Sequence, residues 1–448
     1  MMTRCGRTSR VGAIVAVVLF TQLHATTLHA QSAVDSSLAA FIARIRAVDN
    51  HTHVFSVTPA DSDSDALPLD GLSPAAPPIR LRPDSPAWLA AYRALYGYRY
   101  DDVSAPHLAE LRVLMKGVAS EQGARFPEWV LDRIGTEVML ANRIAMGPGL
   151  APPRFRWVSY VDALMLPLST TSERKATPDY AALYPLEDRL LRRYLRDLHL
   201  AKIPATLDAY LRTVVTPTLE RQRRDGCIAV KFEAAYLRAL DFADAPALAA
   251  RTVYARHASG GVPSHADYKL LQDYLFRYIA REAGRLGMAV HIHTFEGGGG
   301  YYRVAGSDPL LLESALNDST LRGTRFVLVH GGGIYASRAG AMLTKPNVYL
   351  DFSVQTLAYS PAMLATILRD WLSQYPEKVL FGSDAFANGP DAGWELAAWI
   401  ATSTGRQALA IALTGMMRDG EVTRVRAEEI ATMVMRSNAS RLYSLDLR

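Results

Sequence analysis

Apolar and polar positions divide the chain into short β-type runs and longer helical segments. Eight apolar or β-branched runs are bounded by turn residues, and most are separated by segments with helical spacing. The runs cover residues 47–54, 136–142, 156–165, 227–234, 288–294, 325–330, 347–353 and 378–383. Strands that alternate with helices favour parallel pairing, and eight of them favour a closed (β/α)8 TIM barrel.

The connections between these runs differ strongly in length. Residues 265–286 and 361–375 each place apolar side chains at helical spacing, and each helix is predicted to end just before a strand. Two connections, residues 56–135 and 168–226, are much longer than a barrel requires. Because they follow the first and third strands, we expect both insertions to rise over the carboxyl-terminal face of the barrel and cap a pocket there.

The amino terminus has the pattern of a secretory signal. Arg4, Arg7 and Arg10 precede an apolar run over residues 11–20, and Ala30 supplies a small residue at a cleavage position. The run is shorter than the roughly 20 residues that span a bilayer. We therefore predict a signal peptide over residues 1–30 and a single periplasmic or secreted domain over residues 31–448.

Removal of that segment changes the charge and the cysteine count. The whole chain of 448 residues carries a formal charge of +5, and without three arginines about +2 remains. This charge gives no electrostatic argument for nucleic acid as a partner. Cys227 becomes the single cysteine, so an intramolecular disulfide is excluded. No later segment is apolar enough to predict a membrane span. We expect a small-molecule substrate, and a homo-oligomer stays open.

Histidines and one aspartate stand at the ends of the predicted strands. His51 and His53 are two residues apart on the first strand, so their imidazoles point to the same side. His293, His330 and Asp384 end or follow the fifth, sixth and eighth strands. Barrel enzymes place their chemistry at this end of the strands, and a bound cation would compensate the carboxylate. The pattern predicts a metal site.

This arrangement resembles the amidohydrolase superfamily, in the branch called amidohydrolase-related or amidohydrolase 2. The resemblance extends from about Val48 to the closing residues 438–443 and leaves out the two insertions. It implies that His51, His53, His293 and Asp384 ligate a divalent metal, most often zinc. It also implies that His330 binds a second metal or contacts the substrate oxyanion.

Lys231 on the fourth strand decides between one and two metals. Binuclear members of the superfamily have a carboxylated lysine there that bridges two cations, which a bare ammonium could not do. The alternative is that Lys231 stays an ammonium and pairs with Glu233 or contacts a substrate carboxylate. His291 is interpreted as a core or supporting histidine beneath His293.

These residues imply metal-dependent hydrolysis of an amide, ester or lactone. A metal lowers the pKa of bound water towards about 7. Asp384 would take the proton of that water and pass it to the leaving group, and His330 would stabilise the oxyanion. A decarboxylase, hydratase or isomerase on the same site is the alternative. Tyr236 and Arg238, just past the fourth strand, are candidate substrate-binding residues.

Overall fold

The computed structural model describes residues 34–56, 61–67, 78–297 and 302–447. The predicted signal peptide lies outside the described residues, as do Gly298, Gly299 and Gly300 of the glycine-rich loop after His293.

Eight parallel strands form a single sheet in the order in which they occur along the chain. They are β1 (Ala47–Thr52), β2 (Thr136–Arg143), β3 (Phe155–Tyr160), β4 (Cys227–Phe232), β5 (Ala289–His293), β6 (Phe326–Val329), β7 (Val348–Asp351) and β8 (Val379–Leu380). Backbone bonds from Asn50 N to Phe381 O and from His53 N to Ala385 O bring β1 against the segment after β8. These bonds complete the ring, and the predicted (β/α)8 barrel is confirmed.

Helices surround the barrel and fill the two long connections. Those up to β4 are α1 (Ser36–Arg44), α2 (Pro86–Tyr96), α3 (Ala105–Gln122), α4 (Phe126–Ile134), α5 (Thr171–Ala176), α6 (Tyr184–Asp197), α7 (Leu207–Tyr210) and α8 (Thr216–Arg224). Those after β4 are α9 (Ala247–His257), α10 (His265–Arg285), α11 (Glu313–Leu316), α12 (Ala336–Met342), α13 (Gln355–Ala358), α14 (Pro361–Leu372), α15 (Trp394–Arg418), α16 (Arg424–Thr432) and α17 (Asn438–Tyr443). None of the helices in the described ranges is both long and apolar enough to cross a membrane.

Most strands are shorter than their predicted runs, and the third and eighth differ the most. The run 156–165 leaves the sheet after Tyr160, and Asp162–Met165 forms a buried 3-10 turn. That turn is covered by the second insertion, because Tyr210 of α7 donates a hydrogen bond to Leu164 O. A continuous apolar run shows burial but does not distinguish a strand from a buried turn. The run 378–383 likewise contributes only Val379 and Leu380 to a strand.

The interior of the barrel is closed at one end by the last helix. Val48, Val138, Ile228 and Ala289, from the beginnings of their strands, pack together with residues of α17 such as Leu442. Cys227 opens β4 as a buried, free cysteine. Apolar side chains therefore fill the amino-terminal end of the barrel, and buried polar side chains such as His51, His293 and His330 lie at the carboxyl-terminal end.

Candidate metal centre

Three side chains at the carboxyl-terminal ends of β1 and β8 converge on one point. Nε2 of His51 lies 3.0 Å from Oδ1 of Asp384, and Nε2 of His53 lies 3.4 Å from the same oxygen. One ligand-type atom from each of the three residues lies within 4.8 Å of the others. The closure of the barrel brings the three residues together, because Asp384 N donates a hydrogen bond to His51 O between the segment after β8 and β1.

These three residues satisfy the requirements of a divalent cation. Oδ1 of Asp384 is buried and has no hydrogen-bond partner, although two imidazole nitrogens face it. A buried carboxylate oxygen in that position needs a positive charge. Two imidazoles and one carboxylate form a donor set that zinc and similar metals accept. The residues present therefore fit the metal that the sequence predicted.

The pKa shifts of Asp384, His51 and His53 also favour a positive charge between these groups. Burial by itself would raise the pKa of Asp384, but the surrounding histidines, His330 first, hold that pKa well below its usual range. Burial and then Lys231 lower the pKa of His51, which keeps its imidazole neutral and able to bind a metal. Burial opposes the charging of His53, yet Asp65 and Asp384 outweigh it and raise the His53 pKa to about 10. The two carboxylates thus favour a positive charge at this position, which a cation bound to neutral His53 would supply in place of the imidazole proton.

Residues that the sequence analysis missed hold the two imidazoles in place. Asp65 in the first insertion lies 3.2 Å from Nδ1 of His53, and the hydroxyl of buried Tyr160 lies at the same distance. Nδ2 of Asn142 lies 2.7 Å from Nδ1 of His51, while Oδ1 of that amide has no partner. Nδ2 of Asn142 also donates to Thr52 O at 3.0 Å, so the amide could accept from Nδ1–H of a metal-bound His51 only by turning over and giving up that bond. A run of aspartates in the insertion was the available sequence signal for Asp65.

We expect Asp65→Asn to weaken metal binding by about 10-fold to 100-fold, since a carboxylate behind a ligating imidazole orients it and raises its basicity. Competition with a chelating dye measures the affinity. Asp63→Asn is the matched control, because Asp63 lies in the same loop but pairs with Arg193. Equal affinities for the two variants would remove this role for Asp65.

His293 and His330 lie beside the three-residue group without joining it. The ring of His330 is 5.0 Å from that of His51 and 4.6 Å from that of His293, between ring centres. Nε2 of His293 lies 2.9 Å from Phe295 O, to which it can donate. Burial first, and then Lys231, lowers the pKa of His293 to about 3, so this imidazole is also neutral. Ligation by His293 and His330 stays a prediction.

Lys231 is fully buried between the histidines and a group of acids. Its Nζ lies 3.4 Å from Nε2 of His51 and 3.7 Å from Oε1 of Glu233. Buried Asp162 after β3 and Glu187 of α6 interact with Glu233, and we call Asp162, Glu187 and Glu233 the acidic cluster. Burial raises the pKa of Asp162 to about 7 and that of Glu233 to about 8. One oxygen of each of the three acids is buried without a hydrogen-bond partner.

The two candidate substrate-binding residues, Tyr236 and Arg238, have different surroundings. The ring of Tyr236 lies 4.4 Å from that of His293, between centres, and packs with Tyr180 of the second insertion and Tyr302. Arg238 instead donates to Asp273 at 2.6 Å, and its guanidinium stacks on Phe242. Tyr236 is therefore beside the site, whereas the charge of Arg238 is already paired in a structural contact.

The turn after His330 depends on glycine. Gly331 has a φ of +52°, and a Cβ there would press into the Trp371 ring and come within 2.8 Å of Asp351 O. We expect Gly331→Ala to lower the free energy of unfolding by about 2–4 kcal/mol, through overpacking and the unfavourable backbone angle. Urea denaturation measures this loss. Gly323→Ala is the control, because a Cβ there meets nothing within 4 Å; a similar loss in both variants would contradict the packing argument.

Fold and site together define a barrel enzyme whose strand ends carry a metal-binding type of centre. The family model described as "Amidohydrolase" matches residues 205–445, which is more than half of the chain. The protein belongs to this family and is an enzyme of the amidohydrolase superfamily. His293, His330, Asp384 and Lys231 lie in the matched region, whereas His51 and His53 precede it.

Solved structures with the same fold have distant sequences. Glucuronate isomerase from Caulobacter crescentus is 14% identical with a TM-score of 0.62, covering 92% of this chain and 94% of its own. A protein from Lactobacillus casei assigned as a metal-dependent hydrolase is 16% identical with a TM-score of 0.55, covering 91% and 97%. Uronate isomerase from Thermotoga maritima is 13% identical with a TM-score of 0.53, covering 91% and 96%. No curated protein sequence matched the chain. At these identities the likeness shows the fold alone.

Proposed function

We propose that the protein is an exported metal-dependent hydrolase that cleaves an amide, ester or lactone bond. The observation that carries the proposal is the buried, unpartnered oxygen of Asp384 faced by Nε2 of His51 and of His53. A divalent cation bound there, zinc by the donor set, lowers the pKa of water towards about 7 and so suits hydrolysis at neutral pH. The family membership supports the same class of reaction.

Asp384 is the group that moves the proton. Its second oxygen can accept the proton of the attacking water and return it to the leaving group, as general base and then general acid. The left-handed backbone at Asp384, with a φ of 57°, brings the carboxylate over the end of β1. Nε2 of His51 and Nε2 of His53 face its other oxygen, where the cation would bind.

The contacts at the site favour a substrate without a carboxylate of its own. Near the strand ends, the guanidinium of Arg143 is occupied by Val54 O, Ala145 O and Asp61. The Arg238 guanidinium is occupied by Asp273. Tyr236 and its neighbouring tyrosines instead present aromatic surface beside His293. We propose a neutral ester, lactone or amide with a planar or apolar group next to the scissile bond.

A substrate panel tests the proposal against its alternatives. Metal-loaded and chelator-treated protein is assayed with aryl esters, lactones and N-acyl compounds, together with uronates and aromatic acids. We expect metal-dependent hydrolysis in the first group. Uronate isomerisation is the second candidate, because two solved structures of this fold are uronate isomerases. Isomerisation, hydration or release of carbon dioxide without hydrolysis would reject the hydrolase.

We propose that the centre holds one metal and that Lys231 remains an ammonium. In the described ranges one group of three ligand-type residues has the required spacing, and Glu233 lies 3.7 Å from Nζ as a ready counter-ion. A carbamate would add negative charge beside the acidic cluster, whose members already have raised pKa values through burial. Metal analysis of protein prepared with and without bicarbonate tests this. One metal per chain in both preparations is expected, and two metals with bicarbonate would favour the carbamate bridge.

Export is proposed from the amino-terminal sequence. Arg4, Arg7 and Arg10 before the apolar run support a cleavable signal, with the mature chain beginning at Gln31. Amino-terminal sequencing of the protein from a periplasmic or culture fraction tests the proposal. Retention of residues 1–30 in cytoplasmic protein would reject it.

A further inference from the structure

A chain of buried hydrogen bonds runs beneath the site and ends at His330. Its members come from four separate elements of the barrel: Asn50 of β1, Asp351 and Ser353 at the end of β7, Tyr443 of α17, and His291 of β5. The polar members Asn50, Asp351 and Ser353 are fully buried, and His330 is 2% exposed. Water therefore does not replace these contacts, and each donor and acceptor must be matched within the protein.

Asp351 is the acceptor on which the chain converges. Its Oδ1 accepts hydrogen bonds from the backbone N–H of His330 at 2.9 Å and from the Ser353 hydroxyl at 2.5 Å. Its Oδ2 accepts from Nδ2 of Asn50 at 2.6 Å. Because an ionised carboxylate only accepts hydrogen bonds, the Ser353 hydroxyl donates its one proton to Asp351.

The direction of that bond sets the tautomer of His330. Oγ of Ser353 lies 2.8 Å from Nδ1 of His330 and, with its own proton used, has only lone pairs to offer. His330 must therefore donate from Nδ1–H, which leaves Nε2 of the neutral ring without a proton. The backbone is held by the same region, since Gln355 Nε2 donates to His330 O at 2.6 Å. That bond supports the left-handed φ of 70° at His330.

The other branch of the chain reaches the last helix. The Tyr443 hydroxyl donates to Oδ1 of Asn50, so the Asn50 amide is oriented with its nitrogen towards Asp351. The same hydroxyl lies 2.7 Å from Nε2 of His291 and accepts from it. This assignment leaves Nδ1 of His291 as a bare acceptor, and that atom indeed has no partner. The directions of all the bonds are thus mutually consistent.

We propose that Asp351 and Ser353 are positioning residues that fix His330 as the Nδ1–H tautomer, so that His330 offers the site a lone pair on Nε2. Tyr443 orients the Asn50 amide, and Asn50 in turn donates to Asp351 and fixes its carboxylate. His330 then binds the cation or accepts a hydrogen from the attacking water or the substrate. This differs from the oxyanion contact expected from sequence, which needs an N–H. The effect on turnover, but not the tautomer itself, rests on the proposed hydrolase.

The tautomer can be measured directly in the full chain labelled with ¹⁵N-histidine. Long-range ¹H–¹⁵N spectra report which ring nitrogen carries the proton, and His330→Gln identifies the His330 signals. We expect Nδ1–H in the wild type and a mixture of tautomers in Ser353→Ala, with recovery in Ser353→Thr. Ser159→Ala, which removes another buried barrel hydroxyl, should leave the His330 spectrum unchanged.

Activity supplies a second readout. With a hydrolysed substrate, Ser353→Ala should lower kcat by about 10-fold to 100-fold with little change in KM, as for other supporting residues of metal sites. Tyr443→Phe should act in the same direction with a smaller loss, and Tyr349→Phe, against the same apolar cluster, is its control. If Ser353→Ala does not fold, Tyr443→Phe is assessed by the same spectra.

Two results would overturn the inference: an Nε2–H tautomer in the wild type, or an unchanged His330 spectrum in folded Ser353→Ala. Neither depends on finding a substrate. If the substrate panel shows no hydrolysis but the tautomers behave as expected, the proposed hydrolase fails and the positioning role stands. If hydrolysis is found but the His330 tautomer does not change in Ser353→Ala, the hydrolase stands and the positioning role fails.

Discussion

Asp384→Asn is expected to lower kcat by at least about 1,000-fold while leaving the barrel folded. The substitution keeps the size of the side chain but removes the charge that two imidazoles face and the base that moves the proton. Because Asp384 lies at the closure of the barrel through its backbone, and its N–H bond to His51 O is retained, the fold should survive. Steady-state kinetics measure the loss, and circular dichroism with thermal denaturation checks the fold.

Asp391→Asn is the matched control for that variant. Asp391 also follows β8, but its carboxylate pairs with Arg112 rather than with a histidine. We expect it to keep near-normal kcat. If folded, fully metal-loaded Asp384→Asn retained the wild-type rate, Asp384 would have no role as base or acid.

Lys231→Met is expected to lower the free energy of unfolding by about 3–5 kcal/mol. The ammonium is fully buried 3.7 Å from Glu233, so above the Glu233 pKa of about 8 its removal leaves an uncompensated buried charge, and the full loss is expected there. Below that pH the carboxyl protonates and the loss is smaller. Metal content should stay at one ion per chain, because Lys231 is proposed as a counter-ion and not as a bridging ligand. Denaturant unfolding and metal analysis of the same preparations measure both effects.

The double variant Lys231→Met with Glu233→Gln separates the two interpretations of Lys231. If the ion pair is the reason for the loss, removing the second charge should restore most of the stability. A variant that instead loses metal together with activity, and is not restored by Glu233→Gln, would indicate the carbamate bridge. The two outcomes differ in metal content, so they cannot be confused.

The barrel could be predicted because its pattern is local. Runs such as those in β5 and β6 are apolar, short and separated by helical segments, and a histidine ends β5 and directly follows β6. The same rule placed His51, His53 and Asp384 at strand ends, and the fold brings them to one face. The end of β3 was predicted too long, because the apolar segment up to Met165 is buried beneath α7 without being a strand.

The supporting residues could not be predicted in the same way. Asp65 and Glu187 lie in the two insertions, where nothing in the spacing relates them to a strand end. Asp351 and Ser353 lie at the end of β7, so their position at a strand end could be predicted as it was for His330. Their importance comes from hydrogen-bond directions that the sequence does not contain. Arg238 shows the converse, since an arginine just past β4 proved to be paired with Asp273 of α10.

The amino-acid sequence by itself determined the eight-stranded barrel and the set of ligand-type residues at its carboxyl-terminal ends, because periodicity and strand termini are properties of the local chain. Only the tertiary structure decided that His51, His53 and Asp384 form the close group, that Lys231 lies against Glu233, and that Nδ1 of His330 lies against the Ser353 hydroxyl. Those distances and bond directions depend on closing β8 against β1 and on packing the insertions and α17 around the barrel. The contact between His51 and Asp384 joins residues hundreds of positions apart, and its geometry appears only when the whole chain has folded.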